Sequence, residues 1–151
     1  MTIRGDFLVV ANAQQVWTFL NNPRAVGSCL PGCDAVEVQD AQHARAMCEM
    51  HLGPIVARFL CSVTITGLEP PRRLQGVVDG YDASIRSGFK ATGTLTLEPT
   101  APNVTRVTYD VDVQIRGRIV PFADRLLPFV AKRLAGEFGE NVSRTLKERA
   151  A

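Results

Sequence analysis

From Ala35 to Ile115 apolar and polar residues alternate strand after strand, and beyond Arg116-Gly117-Arg118 the repeat lengthens to about four residues. No other feature limits the fold as tightly. Val107, Tyr109, Val111, Val113 and Ile115 oppose Thr108, Asp110, Asp112, Gln114 and Arg116, the period of a half-buried strand. Ala44, Ala46, Cys48, Met50 and Leu52 oppose His43, Arg45, Met47, Glu49 and His51 in the same way, as do Ile55, Ala57, Phe59, Cys61, Val63 and Ile65 against Arg58, Ser62, Thr64 and Thr66. Turn signals at Gly53-Pro54, Glu69-Pro70-Pro71 and Pro99 to Asn103 join successive strands as hairpins, so the sheet is antiparallel with one apolar face. Phe122, Leu126, Val130, Leu134, Phe138, Val142 and Leu146 then mark one long amphipathic helix. A one-sided sheet must cover its apolar face, and only this helix is long enough. The expectation is an α+β fold in which about six strands, plus one before them, wrap the C-terminal helix.

The first strand runs from Ile3 to about Ala11. Asn12 with Gln15 three residues later reads as a capping box opening a short helix that carries Val16, Trp17 and Leu20. Asn22-Pro23 ends it, and a second short helix, Arg24 to about Cys29, stops at Pro31-Gly32. Pro128 removes a hydrogen bond inside the long helix, which predicts a kink or break between Asp124 and Pro128.

At 151 residues and 46% apolar content, the chain is the size of one domain spanning 1–151 with a sizeable core. No apolar run reaches the roughly 18 residues of a spanning helix, and the N-terminus lacks the pattern of a secretory leader, so a cytoplasmic protein is expected. A net charge of +2, with no basic cluster interleaved with aromatics, argues against nucleic acid as a partner. From Arg118 onward seven basic residues face four acidic ones, either a solvated helix face or a contact for anionic headgroups or an acidic partner. The four cysteines are expected as reduced thiols, and the Cys29–Cys33 spacing does not match a redox pair.

The expected inner faces carry almost nothing that titrates or attacks. Asp110 and Asp112 share a polar strand face, no nucleophile triad, phosphate loop or metal motif is present, and no catalytic or metal-ligating residue and no cofactor is assigned. Between Glu37 with Gln39 and Val36 with Val38, the pattern leaves open which pair faces inward. Small residues on the inner faces (Ala44, Ala46, Ala57, Gly76, Gly80, Ala91, Gly93) beside Met50, Phe59, Leu95, Leu97 and Tyr109 leave either a cavity or room for the helix's bulky stripe. Trp17 suits a pocket mouth or a plain core position equally well.

Trp17 and Pro23, Leu30-Pro31-Gly32, Leu52-Gly53-Pro54, Gly88-Phe89-x-Ala91-x-Gly93 and Gly117 occur in one order over roughly Ile3 to Leu146. That order resembles the CoxG family, the G component of carbon monoxide dehydrogenase, within the START-like (SRPBCC) superfamily. The resemblance implies a helix-grip fold and a noncatalytic single-domain carrier of an apolar ligand, with an isoprenoid quinone as the chemically sensible occupant. It also implies an accessory role that recruits a molybdenum hydroxylase such as carbon monoxide dehydrogenase to a membrane. The candidate ligand-binding residues are Trp17, Leu30, Pro31, Met50, Phe59, Phe89, Leu95, Tyr109, Phe122, Leu126, Val130 and Leu134, with Tyr81 as a further polar candidate. The mouth is expected where Leu30-Pro31-Gly32, Trp17, Phe89 and the helix start near Phe122 and Leu126 meet. Because the chain ends soon after the helix, membrane contact is expected to be peripheral, through the basic helix or the loop around Leu30. Alternatives are an enzyme of polyketide cyclase or aromatase type, which needs a titratable group in the pocket, and a surface adaptor with a filled interior.

Overall fold

The computed structural model describes residues 1–150. Its elements are β1 (Thr2–Val9), α1 (Ala13–Leu20), α2 (Pro23–Cys29), β2 (Cys33–Val38), β3 (His43–Leu52), β4 (Ile55–Glu69), β5 (Arg73–Asp82), β6 (Ser87–Ala101), β7 (Val104–Gly117) and α3 (Val120–Ala150). The strands form one antiparallel sheet in the order β1-β7-β6-β5-β4-β3-β2, so each strand after β2 pairs with its predecessor and β1 closes onto β7. This is the expected helix-grip architecture, six hairpin-linked strands plus one, around a long C-terminal helix.

Local chemistry accounts for the element boundaries. Asn12 accepts from the backbone N–H of Gln15 at 2.9 Å while the Gln15 side chain accepts from Asn12 N–H at 3.3 Å, the reciprocal capping box that starts α1. Asn22 caps α2, whose first residue is Pro23, where a missing N–H costs nothing. Gly32, at φ +81°, makes the turn into β2.

The strand faces divide as the alternation requires. On β3, Ala44, Ala46 and Leu52 are buried while His43, Arg45, Glu49 and His51 are exposed. On β7, Val107 and Tyr109 are buried and Asp110 and Asp112 lie outside, where Arg4 meets Asp110 at 3.1 Å. In β2 a register shift between Asp34 and Glu37, with Ala35 at φ +51°, breaks the alternation. Val36 therefore turns inward beneath Gly27 of α2, and Glu37, Val38 and Gln39 are exposed.

The expected break in the last helix does not occur: α3 is continuous through Pro128. Pro128 and Asp124 are both exposed, so the carbonyl that loses its partner faces solvent and can be hydrated. Ser87 fixes the start of α3 to the sheet, its hydroxyl accepting from Ile119 N–H at 3.1 Å and donating to the Ile85 carbonyl at 2.9 Å.

Candidate functional site

The concave face carries two hydrophobic clusters that do not join. One gathers α1 and α2 (Val16, Trp17, Phe19, Leu20, Ala25, Cys29) with Leu74, Leu97 and Val107 of the sheet and Phe138, Val142 and Leu146 of α3. The other gathers Leu52, Ala57, Phe59 and Cys61 with Ile119 and Ala123, and packs Phe89, Phe122, Leu126 and Val130 against them. On α3 the step from Val130 to Phe138 is eight residues, about 12 Å at helical rise. Leu134 occupies the middle of that step, half-buried and part of neither cluster.

Strand register places two rows of residues side by side on the concave face. Ala44, Val63, Val78, Ala91 and Val113 run across β3 to β7, and Ile65, Gly76, Gly93 and Val111 run beside them to Ile3 of β1. These are small or β-branched residues. Although they lie on the face that α3 covers, all but Ala44 remain partly accessible to solvent. Between the two packed ends this leaves an apolar stretch, the trough, whose residues are only partly covered.

Tyr109 borders the trough. It is buried, belongs to neither cluster, and lies over Gly5, where a Cβ would come within 2.6 Å of the ring carbon bearing the hydroxyl. Burial, with a smaller contribution from Asp6, holds its phenol above the ordinary range, so it is a neutral donor. Tyr81 points the other way, exposed on the convex face with the Arg116 guanidinium 5.8 Å above its ring.

The candidate residues are thus divided. Trp17, Leu30 and Leu95 belong with the first cluster; Met50, Phe59, Phe89, Phe122, Leu126 and Val130 with the second; Leu134 and Tyr109 lie between them. Pro31 is half-buried at the turn before β2. The residues expected at one mouth are divided between the clusters, Trp17 and Leu30 with the first and Phe89, Phe122 and Leu126 with the second. Trp17 shares its cluster with Leu97, whereas Phe89 lies eight residues earlier on β6, about 26 Å away at strand rise. Trp17 is a core residue, 6% exposed. Phe89 instead meets Phe59 edge to face at 5.0 Å.

Two open grooves, of about 710 and 360 Å³, adjoin at the far end of α3 rather than under its middle. Their floor includes Ala11, Phe19 and Leu146, and Arg144, Lys147 and Arg149 stand around it.

Two polar features do not follow from the alternation of the strands. Asp82 is 7% exposed, but one carboxylate oxygen accepts from Ser84 Oγ at 2.6 Å and Ser84 N–H at 2.9 Å, and the other from Arg58 N–H at 2.8 Å. The Ser84 hydroxyl first, and then Arg58 N–H, hold its pKa below the ordinary carboxylate range, so it stays ionised as a cap on the turn 83–85. The Asp82-x-Ser84 spacing carries that capping signal. The second feature is a row of thiols, Cys33, Cys48 and Cys61, on β2, β3 and β4. The neighbouring Cys48, and then burial, push Cys33 up, while Cys48 lowers Cys61, whose Sγ donates to the Phe59 carbonyl at 3.7 Å. His43 and His51 are exposed on the convex side, each facing one carboxylate, Asp40 at 2.8 Å and Glu49 at 3.4 Å.

Solved structures share this architecture. A conserved protein from Geobacillus kaustophilus superposes with a TM-score of 0.88 at 20% identity, over 98% of this chain and 96% of its own. A START superfamily protein from Mycobacterium smegmatis gives 0.63 at 17% identity over 92% and 97%. A Thalictrum norcoclaurine synthase mutant, in complex with a transition-state analogue, gives 0.64 at 13% identity over 100% and 96%. At these identities the likeness establishes the START-like fold. No curated protein matches the chain. Residues 5–147, nearly the whole length of the fold, match CoxG, the G component of carbon monoxide dehydrogenase, and the chain belongs to that family.

Proposed function

We propose that this protein is a noncatalytic carrier that holds one apolar molecule in the trough between its two hydrophobic clusters, as an accessory factor of a molybdenum hydroxylase such as carbon monoxide dehydrogenase. The observation that carries the reading is the half-buried middle of the concave face. Its small residues lie on the concave face between the two clusters yet stay partly exposed, where a domain built only for stability would close them with larger side chains. An isoprenoid quinone suits the trough because its ring matches the apolar rows and its carbonyl can accept from the Tyr109 hydroxyl. The enzyme alternative needs an acid–base group poised near neutral pH at the trough; Tyr109 is held as a neutral phenol, and the oxygens of the buried carboxylate, Asp82, are already occupied by Arg58 and Ser84.

Family membership supports the hydroxylase partnership. None of the described helices is long and apolar enough to cross a membrane. Recruitment to the cytoplasmic face of a bilayer would therefore use the end of α3, where Arg144, Lys147 and Arg149 surround a partly apolar floor. Titration with a short-chain quinone analogue tests the ligand: saturable one-to-one binding that weakens about tenfold in Tyr109→Phe supports the reading. Binding that Tyr109→Phe leaves unchanged removes the assigned donor, and no saturable binding favours an adaptor acting through its surface.

A further inference from the structure

Beyond ligand carriage, we propose that Cys33 and Cys48 form a reversible intrachain disulfide that fastens the edge strand β2, and α2 with it, to the rest of the sheet. The two residues are direct partners across β2 and β3, and both are free thiols. Glu49 N–H donates to the Gly32 carbonyl at 2.8 Å, which makes the pair Gly32/Glu49 a hydrogen-bonded one. Cys33/Cys48, one step along, is therefore a non-hydrogen-bonded pair, where facing Cα atoms lie about 4.5 Å apart and side chains are closest. That separation falls inside the range a disulfide spans, and direct partners project to the same side of a sheet.

The surroundings give the bond a consequence. β2 is an edge strand whose ladder is interrupted just beyond Cys33 by the register shift between Asp34 and Glu37. It is the sheet element with the fewest fixed pairings, so its amides open most readily. Cys33 Sγ lies under α2, 3.7 Å from where a Cβ on Gly27 would stand, and Val36 packs against the same glycine. A cross-link at Cys33 ties both elements to β3 at the point where regular pairing fails.

The chemistry needs a two-electron oxidant, and a hydroperoxide supplies it. With hydrogen peroxide, one sulfur attacks a peroxide oxygen, the O–O bond breaks, and the first water leaves as a sulfenic acid forms. The second sulfur displaces that oxygen, the S–S bond forms, and the S–O bond breaks. Both thiol hydrogens and both peroxide oxygens leave as two waters. A dithiol reductant reverses the change by exchange. Cys48 beside it and burial push Cys33 up, and Cys61 and burial push Cys48 up to about 12, so both thiols are protonated at neutral pH and the reaction quickens as pH rises.

The test is hydrogen peroxide treatment of the full chain at pH 8, followed by alkylation, non-reducing peptide mapping and amide hydrogen exchange. The expected product is one intrachain Cys33–Cys48 bridge, with exchange over residues 34–38 slowed about tenfold and restored by dithiothreitol. Cys33→Ala, a change at a half-buried edge position, should show neither effect, and Cys48→Ala gives a second control. A bridge through Cys29 or Cys61, sulfinic acid without any bridge, or a Cys33–Cys48 bridge with unchanged edge exchange would each overturn the proposal. Every readout here is independent of a bound quinone, so failure of the ligand reading leaves this result interpretable.

Discussion

Gly139 of α3 rests directly on Phe7 of β1: a Cβ at Gly139 would lie 2.8 Å from Phe7 Cδ2 and 3.1 Å from the Leu8 carbonyl oxygen. The ring of Phe7 in turn meets Phe138 edge to face at 5.7 Å. This contact sets how closely the helix approaches the sheet at the first cluster, and hence how the trough ends. Gly136, three residues earlier on the helix, has nothing within 4 Å of such a Cβ.

The two glycines should therefore respond oppositely to alanine. Gly136→Ala gains helix propensity and is expected to stabilise the fold by up to about 1 kcal/mol. In Gly139→Ala the same gain is outweighed because the Leu8 carbonyl is backbone and cannot swing aside, giving a net loss of about 1–2 kcal/mol. Urea denaturation of both variants checks the sign. Equal stabilisation by both would mean that the helix does not press on β1 at Gly139.

Leu134 and Val142 are both on the apolar stripe of α3, yet they lie in different surroundings. Val142 is 0% exposed inside the first cluster, so Val142→Asp buries an unpaired charge at a cost of several kcal/mol, comparable to the whole stability of a domain. Loss of folded protein is the expected outcome, read by circular dichroism. Leu134→Trp places bulk into the trough, and it should retain the fold while weakening quinone-analogue binding about tenfold or more. Tight binding by a folded Leu134→Trp protein would put the ligand elsewhere.

Ser87 anchors the start of α3 through a buried hydroxyl. Ser87→Ala leaves Ile119 N–H without its acceptor inside the second cluster, at about 1–3 kcal/mol. The change should appear as a lowered midpoint in thermal unfolding and as faster amide exchange at Ile119. An unchanged midpoint would show that the amide finds another partner.

The pKa of the Asp82 carboxyl is held below its ordinary value of 3.8 by the Ser84 hydroxyl, the Arg58 N–H and the Ser84 N–H. A lowered folded-state value means that its stabilisation is fully present above about pH 4 and is lost as pH falls through the folded-state value. Asp82→Ala should be less stable than the parent at pH 7, with the difference shrinking toward pH 2. A difference that stays constant with pH would assign the loss to the turn geometry alone.

Periodicity carries the architecture. The alternation on β3, β4 and β7, ending where the repeat lengthens after Gly117, marks which residues face inward, because alternation and burial follow from the same geometry. Pro128 is harder to read, since its effect depends on whether the orphaned carbonyl meets solvent or protein, which only the helix's orientation decides. Trp17 and Phe89 look like neighbours at one mouth by their motifs, yet opposite ends of β6 separate them, a distance set by long-range register. The Cys33–Cys48 pairing is hidden for the same reason, fifteen residues apart across an irregular edge. Asp82 is legible from its capping pattern with Ser84, but nothing local distinguishes its burial from that of the other acids.

Native mass spectrometry of the protein, first as purified and then titrated with a short-chain quinone, tests the carrier reading most directly. The account predicts a single bound apolar molecule per chain, saturating at one equivalent, displaced by Leu134→Trp and weakened by Tyr109→Phe. A chain that stays at its bare mass throughout the titration, or that binds several equivalents equally well in both variants, would contradict it.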